Sequence, residues 1–162
     1  MERVAEQKLV IACCQNDLLT SSLPKMQDDL DYCQRKLETY LEKKRGVFPR
    51  FYFVSNSDLL KILSIGTDPN MIQDDFEKMF DAISRVSFDR VDRRMIRAIN
   101  QDWGGTTETV DLDVTVKCEG NIEDWLCKLE TAMQISMRGI CAQGAQECFQ
   151  MGLVDFVNKY QS

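Results

Sequence analysis

Cys118 and Cys127, each beside a lysine (Lys117 and Lys128), are the side chains whose setting comes nearest to nucleophilic chemistry. A cysteine attacks as its thiolate, and a neighbouring cation in a partly exposed place favours that form. The usual proton acceptor is missing, because the chain contains no histidine. That removes Ser-His-Asp and Cys-His catalysis and takes away the commonest transition-metal ligand. The other cysteines, Cys13, Cys14, Cys33, Cys141 and Cys148, bring the total to an odd 7 and form no Cys-x-x-Cys pair. Disulfide frameworks and zinc sites need paired, clustered thiols. The expected state is reduced, with the thiols mostly buried as small hydrophobes.

Two other groups invite a chemical reading. Asp74, Asp75 and Glu77 offer carboxylates for a metal or for acid–base work, but neighbouring helical residues point in different directions. They read as a solvated helix face. Lys43, Lys44 and Arg45, with Arg50 just beyond, offer charge for a phosphate, yet the C-terminus of a helix is where cations belong without any ligand. Neither Gly-x-x-x-x-Gly-Lys-Ser/Thr nor Gly-x-Gly-x-x-Gly occurs, so both familiar phosphate cradles are missing from the sequence. No catalytic, cofactor-binding or metal-ligating residue is assigned. The residues alone describe a scaffold or an interaction element.

The totals bound this further. At 162 residues the chain is long enough to bury a sizeable core. Its hydrophobic share of 44% and charged share of 28% are those of a soluble globular protein. A net charge of −6 argues against general nucleic-acid binding, which needs a basic face. No apolar run approaches the roughly 20 residues of a membrane helix, and the mixed charges of Met1 to Lys8 do not form a signal peptide. An intracellular setting follows as the expectation.

The elements that must position these side chains are mostly helical. Residues 1–22 are poorly patterned, with Val4, Leu9, Val10 and Ile11 able to form a helix. From 23 onward the pattern sharpens. Leu23, Met26, Leu30, Cys33, Leu37, Tyr40 and Leu41 recur at steps of three and four, which predicts one apolar stripe on a helix packed inside a domain. Pro24 suits its first turn and Gly46 its end. Beyond Gly66, Asp68 is a cap with Pro69 at the first helical position, and Ile72, Phe76, Met79, Phe80 and Ile83 line the inner face. Gln73, Asp74, Glu77, Lys78 and Asp81 fall on the outer one.

Arg85 to Asn100 is ambiguous between helix and strand. Trp103-Gly104-Gly105 marks a turn, and Val110, Leu112, Val114, Val116 and Cys118 alternate with polar residues as in a half-buried strand. The preferred reading is a hairpin, up through Met95 to Ala98 and back through Val110 to Cys118. Asn121 then caps a helix whose inner face is Trp125, Leu129, Ala132, Met133, Ser136, Ile140 and Cys141, running to Gln143. Leu153, Phe156, Val157 and Tyr160 begin another amphipathic helix. That stripe stops half written at Ser162, so the expectation is a fragment of something longer.

Val47 to Leu63 is the most informative stretch. Phe48, Phe51, Tyr52, Phe53 and Val54 concentrate aromatic and β-branched side chains, which predicts a buried strand led in by Pro49. Ser55, Asn56, Ser57 and Asp58 supply cap oxygens for a short helix through Leu59, Leu60, Ile62 and Leu63.

Phe48-Pro-Arg-Phe-Tyr-Phe-Val-Ser, followed by Asp58-Leu-Leu-Lys-Ile-Leu-Ser64, resembles the signature of the dynein heavy-chain linker. Three further blocks carry the likeness in order and spacing. They are Leu30-Asp-Tyr-Cys-Gln-Arg-Lys-Leu-Glu-Thr-Tyr-Leu-Glu-Lys-Lys-Arg45, Ile72-Gln-Asp-Asp-Phe-Glu-Lys-Met-Phe80, and Cys118-Glu-Gly-Asn-Ile-Glu-Asp-Trp-Leu126 running on through Leu129 to Met133. Together they cover roughly residues 16–162. Ser55-Asn-Ser-Asp-Leu-Leu and Gly120-Asn-Ile-Glu-Asp-Trp-Leu look axonemal, of outer-arm type, more than cytoplasmic.

The resemblance implies a fold and a role. The fold is mainly α with a small β component: an elongated helical-bundle linker segment over residues 23–162, incomplete at both ends, with a buried strand and a β-hairpin. The role is a non-catalytic lever over a ring of AAA+ modules, in a minus-end-directed microtubule motor. ATP and Mg then belong to the ring, and microtubules are met only through a stalk, neither of which lies in this chain. The implied partners are the ring of the same heavy chain and, through the parent complex, dynein intermediate and light intermediate chains, with no nucleic acid and no membrane. The implied location is the cytoplasm and cytoskeleton, in a ciliary or flagellar axoneme. Two readings compete. One is a stand-alone helical adaptor that uses the Leu23–Leu41 stripe; the other, a cysteine enzyme, is disfavoured by the missing histidine.

Overall fold

The computed structural model describes residues 10–11, 17–65 and 68–160. Expectations that fall on Val4, Leu9, Cys13, Cys14 and Gly66 lie outside the described residues. Two compact units are present, Met1–Lys43 and Lys44–Ser162.

Helix α1 runs over Asp17–Val47, with Pro24 inside it. The helix thus starts before Leu23, and Pro24 is not in its first turn. A proline there removes one backbone donor, a local cost that a helix of 31 residues absorbs. Gly46 does not end the helix, which continues to Val47. The expected packing of the stripe is also corrected: Leu23, Met26, Leu30, Leu37 and Tyr40 are 41–69% exposed, and of the stripe only Leu41 is buried. Cys33 is exposed as well.

The expected buried strand at Phe48–Val54 does not exist. Pro49–Phe53 is a 3-10 helix, closed by Phe51 N–H to Phe48 O at 3.1 Å and Val54 N–H to Phe51 O at 3.2 Å. Three residues per turn put positions three apart on one side. Phe48, Phe51 and Val54 are accordingly buried, while Tyr52 and Phe53 are 61% and 77% exposed. A strand would have buried Phe51 and Phe53 together.

Helix α2, Asn56–Ile65, begins where expected. Ser55 Oγ accepts from the Asp58 amide at 3.2 Å and donates to the Asp58 carboxylate at 2.8 Å, which caps it. Asp68 caps the next segment by accepting from Asn70 N–H at 3.0 Å. That segment is a 3-10 helix, Pro69–Asp75, running into the single α-turn α3, Phe76–Met79. All five expected inner residues, from Ile72 to Ile83, are buried.

The sheet is antiparallel in the order β1-β2-β3: β1 Arg85–Phe88, β2 Met95–Trp103 and β3 Thr106–Lys117. The hairpin is longer than expected and gains a third strand. Trp103 pairs with Thr106, and the two-residue turn between them has φ +59° at Gly104 and +89° at Gly105. Both positive angles suit the turn that matches strand twist, and glycine adopts them without a Cβ penalty. Gln73, expected on a solvated face, instead completes the outer edge of β1. Its side-chain amide donates to Val86 O and accepts from Val86 N–H, each at 3.0 Å, which blunts an otherwise open edge.

Helix α4, Ile122–Met151, outlasts its expected end and stops at Gly152, φ +84°. Asn121 makes no side-chain cap bond; its amide donates to the Asp124 carboxylate at 3.1 Å instead. The buried face of α4 holds Trp125, Leu129, Ala132 and Ser136. Ile140 and Cys141, expected on that face, are exposed. Ser136 Oγ accepts from Asp113 N–H at 2.8 Å and donates to Ala132 O at 3.1 Å, fixing α4 on β3. Helix α5, Leu153–Tyr160, returns along the end of α4. The observed fold is mainly α with a small β component.

Candidate functional site

The 3-10 turn at Pro49–Phe53 is the point on which the second unit closes. Phe48 and Phe51 meet edge to face at 5.0 Å between ring centres, and Phe48 lies 6.2 Å from Phe80, which stacks on Phe76 at 6.2 Å. Edge-to-face and offset pairs of this kind are favoured by the ring quadrupoles. The short turn is reinforced from outside by Arg45, which adds a second donor at Phe51 O beside Val54 N–H. Its guanidinium donates to Phe51 O at 3.3 Å, Val54 O at 3.2 Å and Asn56 Oδ1 at 2.7 Å.

The expected basic cluster is therefore structural in three of its four members. Besides Arg45, Lys44 pairs with Glu123. Arg50 donates to Glu130 Oε1 at 3.1 Å and to Met79 O at 3.5 Å, and lies 4.7 Å from the centre of the Phe80 ring. Groups held this way do not fit a nucleotide phosphate, which would have to displace carboxylates already in place. Glu123 and Glu130 went unnoticed in the sequence. Their signal was spacing: positions seven apart on a helix share a face, and Lys44 and Arg50 are the cations that meet them.

The carboxylates expected on a solvated face divide. Asp74 and Glu77 are exposed, whereas Asp75 is buried. Lys78 lies 2.9 Å from Asp75 and 2.8 Å from Asp58, and Lys61 lies 3.3 Å from Asp75. A buried carboxylate needs such cations, because desolvation disfavours its charge. The hydrogen bond from Lys78, then that from Ser55, holds the Asp58 carboxyl below its ordinary value. Lys78 is held above its own, first by Asp58 and then by Asp75.

The candidate nucleophiles are placed against reactivity. Burial pushes the Cys118 thiol up to about 12, with the Asp92 charge adding to it. Cys127 is also raised, first by burial and then by the charges of Glu130, Asp124 and Glu123. Lys117 pairs with Glu119, so it does not serve Cys118. Cys118 is the one buried thiol among the described cysteines, which corrects the expectation that most are buried. A groove of about 440 Å³ between β3 and α4 includes Cys127, Lys128 and Ile135 in its lining, and it holds no activated group.

Geometry of this kind defines a helix-and-hairpin module braced by an aromatic cluster and by internal ion pairs. The family profile described as "Dynein heavy chain, N-terminal region 2" matches residues 1–144. Dynein axonemal heavy chain 5 of Rattus norvegicus is 37% identical over 164 aligned positions, covering 99% of this chain and 5% of that protein. Cytoplasmic dynein 2 heavy chain 1 of Caenorhabditis elegans is 33% identical over 144 positions, covering 89% of this chain and 3% of that protein. The dynein gamma chain of the flagellar outer arm of Chlamydomonas reinhardtii is 35% identical over 153 positions, 93% of this chain and 3% of that protein. The chain thus spans a small fraction of the relatives it matches. It belongs to the dynein heavy-chain family and corresponds to the N-terminal region of such a chain.

Proposed function

We propose that this chain is a mechanical linker segment of a dynein heavy chain, non-catalytic in itself. It belongs, on this reading, to a minus-end-directed microtubule motor whose ATP-driven power stroke it transmits. The observation that supports the reading is the double tie across the second unit. Lys44 pairs with Glu123 and Arg50 with Glu130, across 79 and 80 positions of chain. A lever has to carry load without deforming, and close-packed cores with low compressibility do so.

The linker segment extends over residues 23–162, with 1–22 leading into it. ATP and Mg act in the AAA+ ring of the parent protein, and no residue here takes a step in hydrolysis. The ring of the same heavy chain is the direct partner. Intermediate and light intermediate chains are met through the parent complex, and microtubules through the stalk, with no nucleic acid and no membrane involved. The setting is the cytoskeleton of a ciliary or flagellar axoneme. Coverage supports this: the rat axonemal relative matches 99% of the chain and the nematode cytoplasmic dynein 2 relative 89%.

The test is a full heavy chain carrying Arg50→Ala with Glu130→Ala at these positions. Microtubule gliding slows while ATP turnover stays near normal. Gliding at normal speed, with the unit demonstrably softened, would count against the lever. A stoichiometric nucleotide site found by calorimetry on the isolated chain would do the same.

The exposed stripe on α1 favours a second reading, a helical adaptor that binds a partner through Leu23, Met26, Leu30 and Leu37. A concentration-independent monomer whose stripe amides are protected from hydrogen exchange would remove it.

A further inference from the structure

The loop 89–94 between β1 and β2 is built on two aspartates that bind its own backbone. Asp89 Oδ1 accepts from the amides of Val91 at 2.8 Å and Asp92 at 3.3 Å. Asp92 Oδ1 accepts from Arg94 N–H at 3.0 Å. Main-chain bonds run from Asp89 N–H to Met95 O at 2.8 Å and from Met95 N–H to Asp92 O at 2.9 Å. Aspartate side chains that mimic turn bonds in this way give a loop one preferred shape.

The loop holds up a residue that the fold itself does not use. Val91 is 96% exposed, with Arg90, Arg93, Arg94 and Arg97 exposed around it in sequence. Among the described residues Arg90, Arg93 and Arg94 form no ion pair, and Arg97 reaches Asp89 only at 4.0 Å. Five arginines against two aspartates within residues 85–97 stand on a chain of net charge −6. A bare apolar tip flanked by guanidinium groups has the make-up of an interface anchor. A preformed shape lowers the ordering cost of using it.

We propose that loop 89–94 docks on an acidic protein surface, with Val91 entering an apolar notch and the arginines pairing with carboxylates around it. The planar guanidinium matches a carboxylate in two parallel bonds, which favours arginine over lysine in such a contact. An extended polyanion or an anionic bilayer is disfavoured. Either would extend past the loop and meet the net negative charge of the rest of the chain, whereas a compact acidic patch meets the loop alone, since charges beyond about 8 Å are screened. Base recognition also wants aromatic platforms, and a bilayer wants more apolar surface than one valine. The proposal does not rest on the lever reading.

The test uses a fluorescein-labelled peptide of one leucine flanked on both sides by runs of glutamate. The 162-residue chain is titrated into it while anisotropy is read. Saturable binding is expected, about tenfold weaker when salt is raised from about 50 to about 300 mM. Arg93→Glu with Arg94→Glu weakens it about tenfold or more. Val91→Ser weakens binding of the leucine peptide and leaves an all-glutamate peptide of equal length unaffected. Asp89→Ala separates shape from charge. Loss of a negative charge alone tightens binding, loosening of the loop weakens it, and weakening is expected. Val91, Arg93 and Arg94 are exposed, so unchanged melting temperatures accompany those variants, whereas Asp89→Ala removes two backbone bonds and lowers its own. Arg93→Gln with Arg94→Gln replaces the glutamate pair if that variant melts early. No saturable binding, equal binding by the arginine variants, or tighter binding by Asp89→Ala overturns the proposal. So does stronger binding to phosphatidylserine vesicles or to single-stranded DNA than to the peptide.

Discussion

Arg50 and Glu130 stand 80 positions apart in the chain, and the guanidinium Nε of the first donates to Oε1 of the second at 3.1 Å. The same guanidinium lies against Phe80 at 4.7 Å, so one side chain joins the 3-10 turn, α4 and the aromatic cluster. Arg50→Ala is expected to cost about 1–2 kcal/mol, the sum of a half-exposed ion pair and a cation–π contact. Arg50→Lys recovers only part, because an ammonium lacks the planar fork. Urea unfolding measures this, and a cost near zero for Arg50→Ala would show the tie to be idle.

Phe51 and Phe53 separate a 3-10 turn from a strand. Phe51 is fully buried and Phe53 is 77% exposed. Phe51→Ala is expected to cost about 3–5 kcal/mol and Phe53→Ala under about 0.5 kcal/mol. Equal costs at the two positions would restore the strand.

Glu123 is almost wholly buried and faces Lys44, with side-chain exposures of 6% and 20%. Its second oxygen, Oε2, has no hydrogen-bond partner among the described residues. Lys44→Ala leaves that carboxylate unpaired and is expected to cost about 3–5 kcal/mol, whereas Lys44→Met with Glu123→Leu regains most of the loss. A double variant no better than the single one would mean that the cost lies in packing.

Glu147 ties α5 to α4. Its carboxylate accepts from Lys159 at 2.8 Å and from Tyr160 at 2.5 Å. Lys159 first, then Tyr160 and Gln143, hold it down from its ordinary 4.5 to about 2. A depressed carboxylate stabilises the folded form fully above its unfolded value, and that stabilisation fades as pH falls through the folded one. The chemical shifts of α5 should therefore be constant above pH 4.5 and drift towards unfolded values as pH approaches about 2. Glu147→Gln flattens that dependence; an unaltered profile in the variant refutes it.

The thiols should alkylate in the order of their exposure and charge. Cys33 and Cys141 are exposed, Cys127 and Cys148 are intermediate, and Cys118 is buried with its thiol raised to about 12. Peptide mapping after iodoacetamide at neutral pH should find Cys118 modified last. Early, selective modification of Cys118 would reopen the nucleophile reading.

Much of this was legible in order of chain. Apolar period is a local signal, so the buried faces of Ser55–Leu63, Asp68–Ile83 and Asn121–Ser136 were foreseen. Asp68–Ile83 nevertheless holds a 3-10 helix with one α-turn instead of a single helix, and Asn121 makes no side-chain cap bond. The glycine pair placed the hairpin turn. β1 was hidden because Arg85–Phe88 is too short to show alternation, and its edge is completed by Gln73 from a distant segment. The 3-10 turn was hidden by propensity. Aromatic residues favour strands on average, yet Phe48, Phe51 and Val54 at steps of three already spelled the tighter helix.

What the sequence by itself determined is the family, most of the helices, the hairpin and the identity of most core residues. The family follows from the order of four blocks along the chain; the rest depends on residue type and on spacing within a dozen positions. Only the tertiary structure decided what the charges do. Lys44 and Arg50 acquire their roles from Glu123 and Glu130, and Asp75 is buried because Lys61 and Lys78 converge on it. Ion pairing depends on separation in space, falling off over a few ångströms in a medium whose dielectric changes with burial. Spacing along a chain carries neither quantity until the chain has folded.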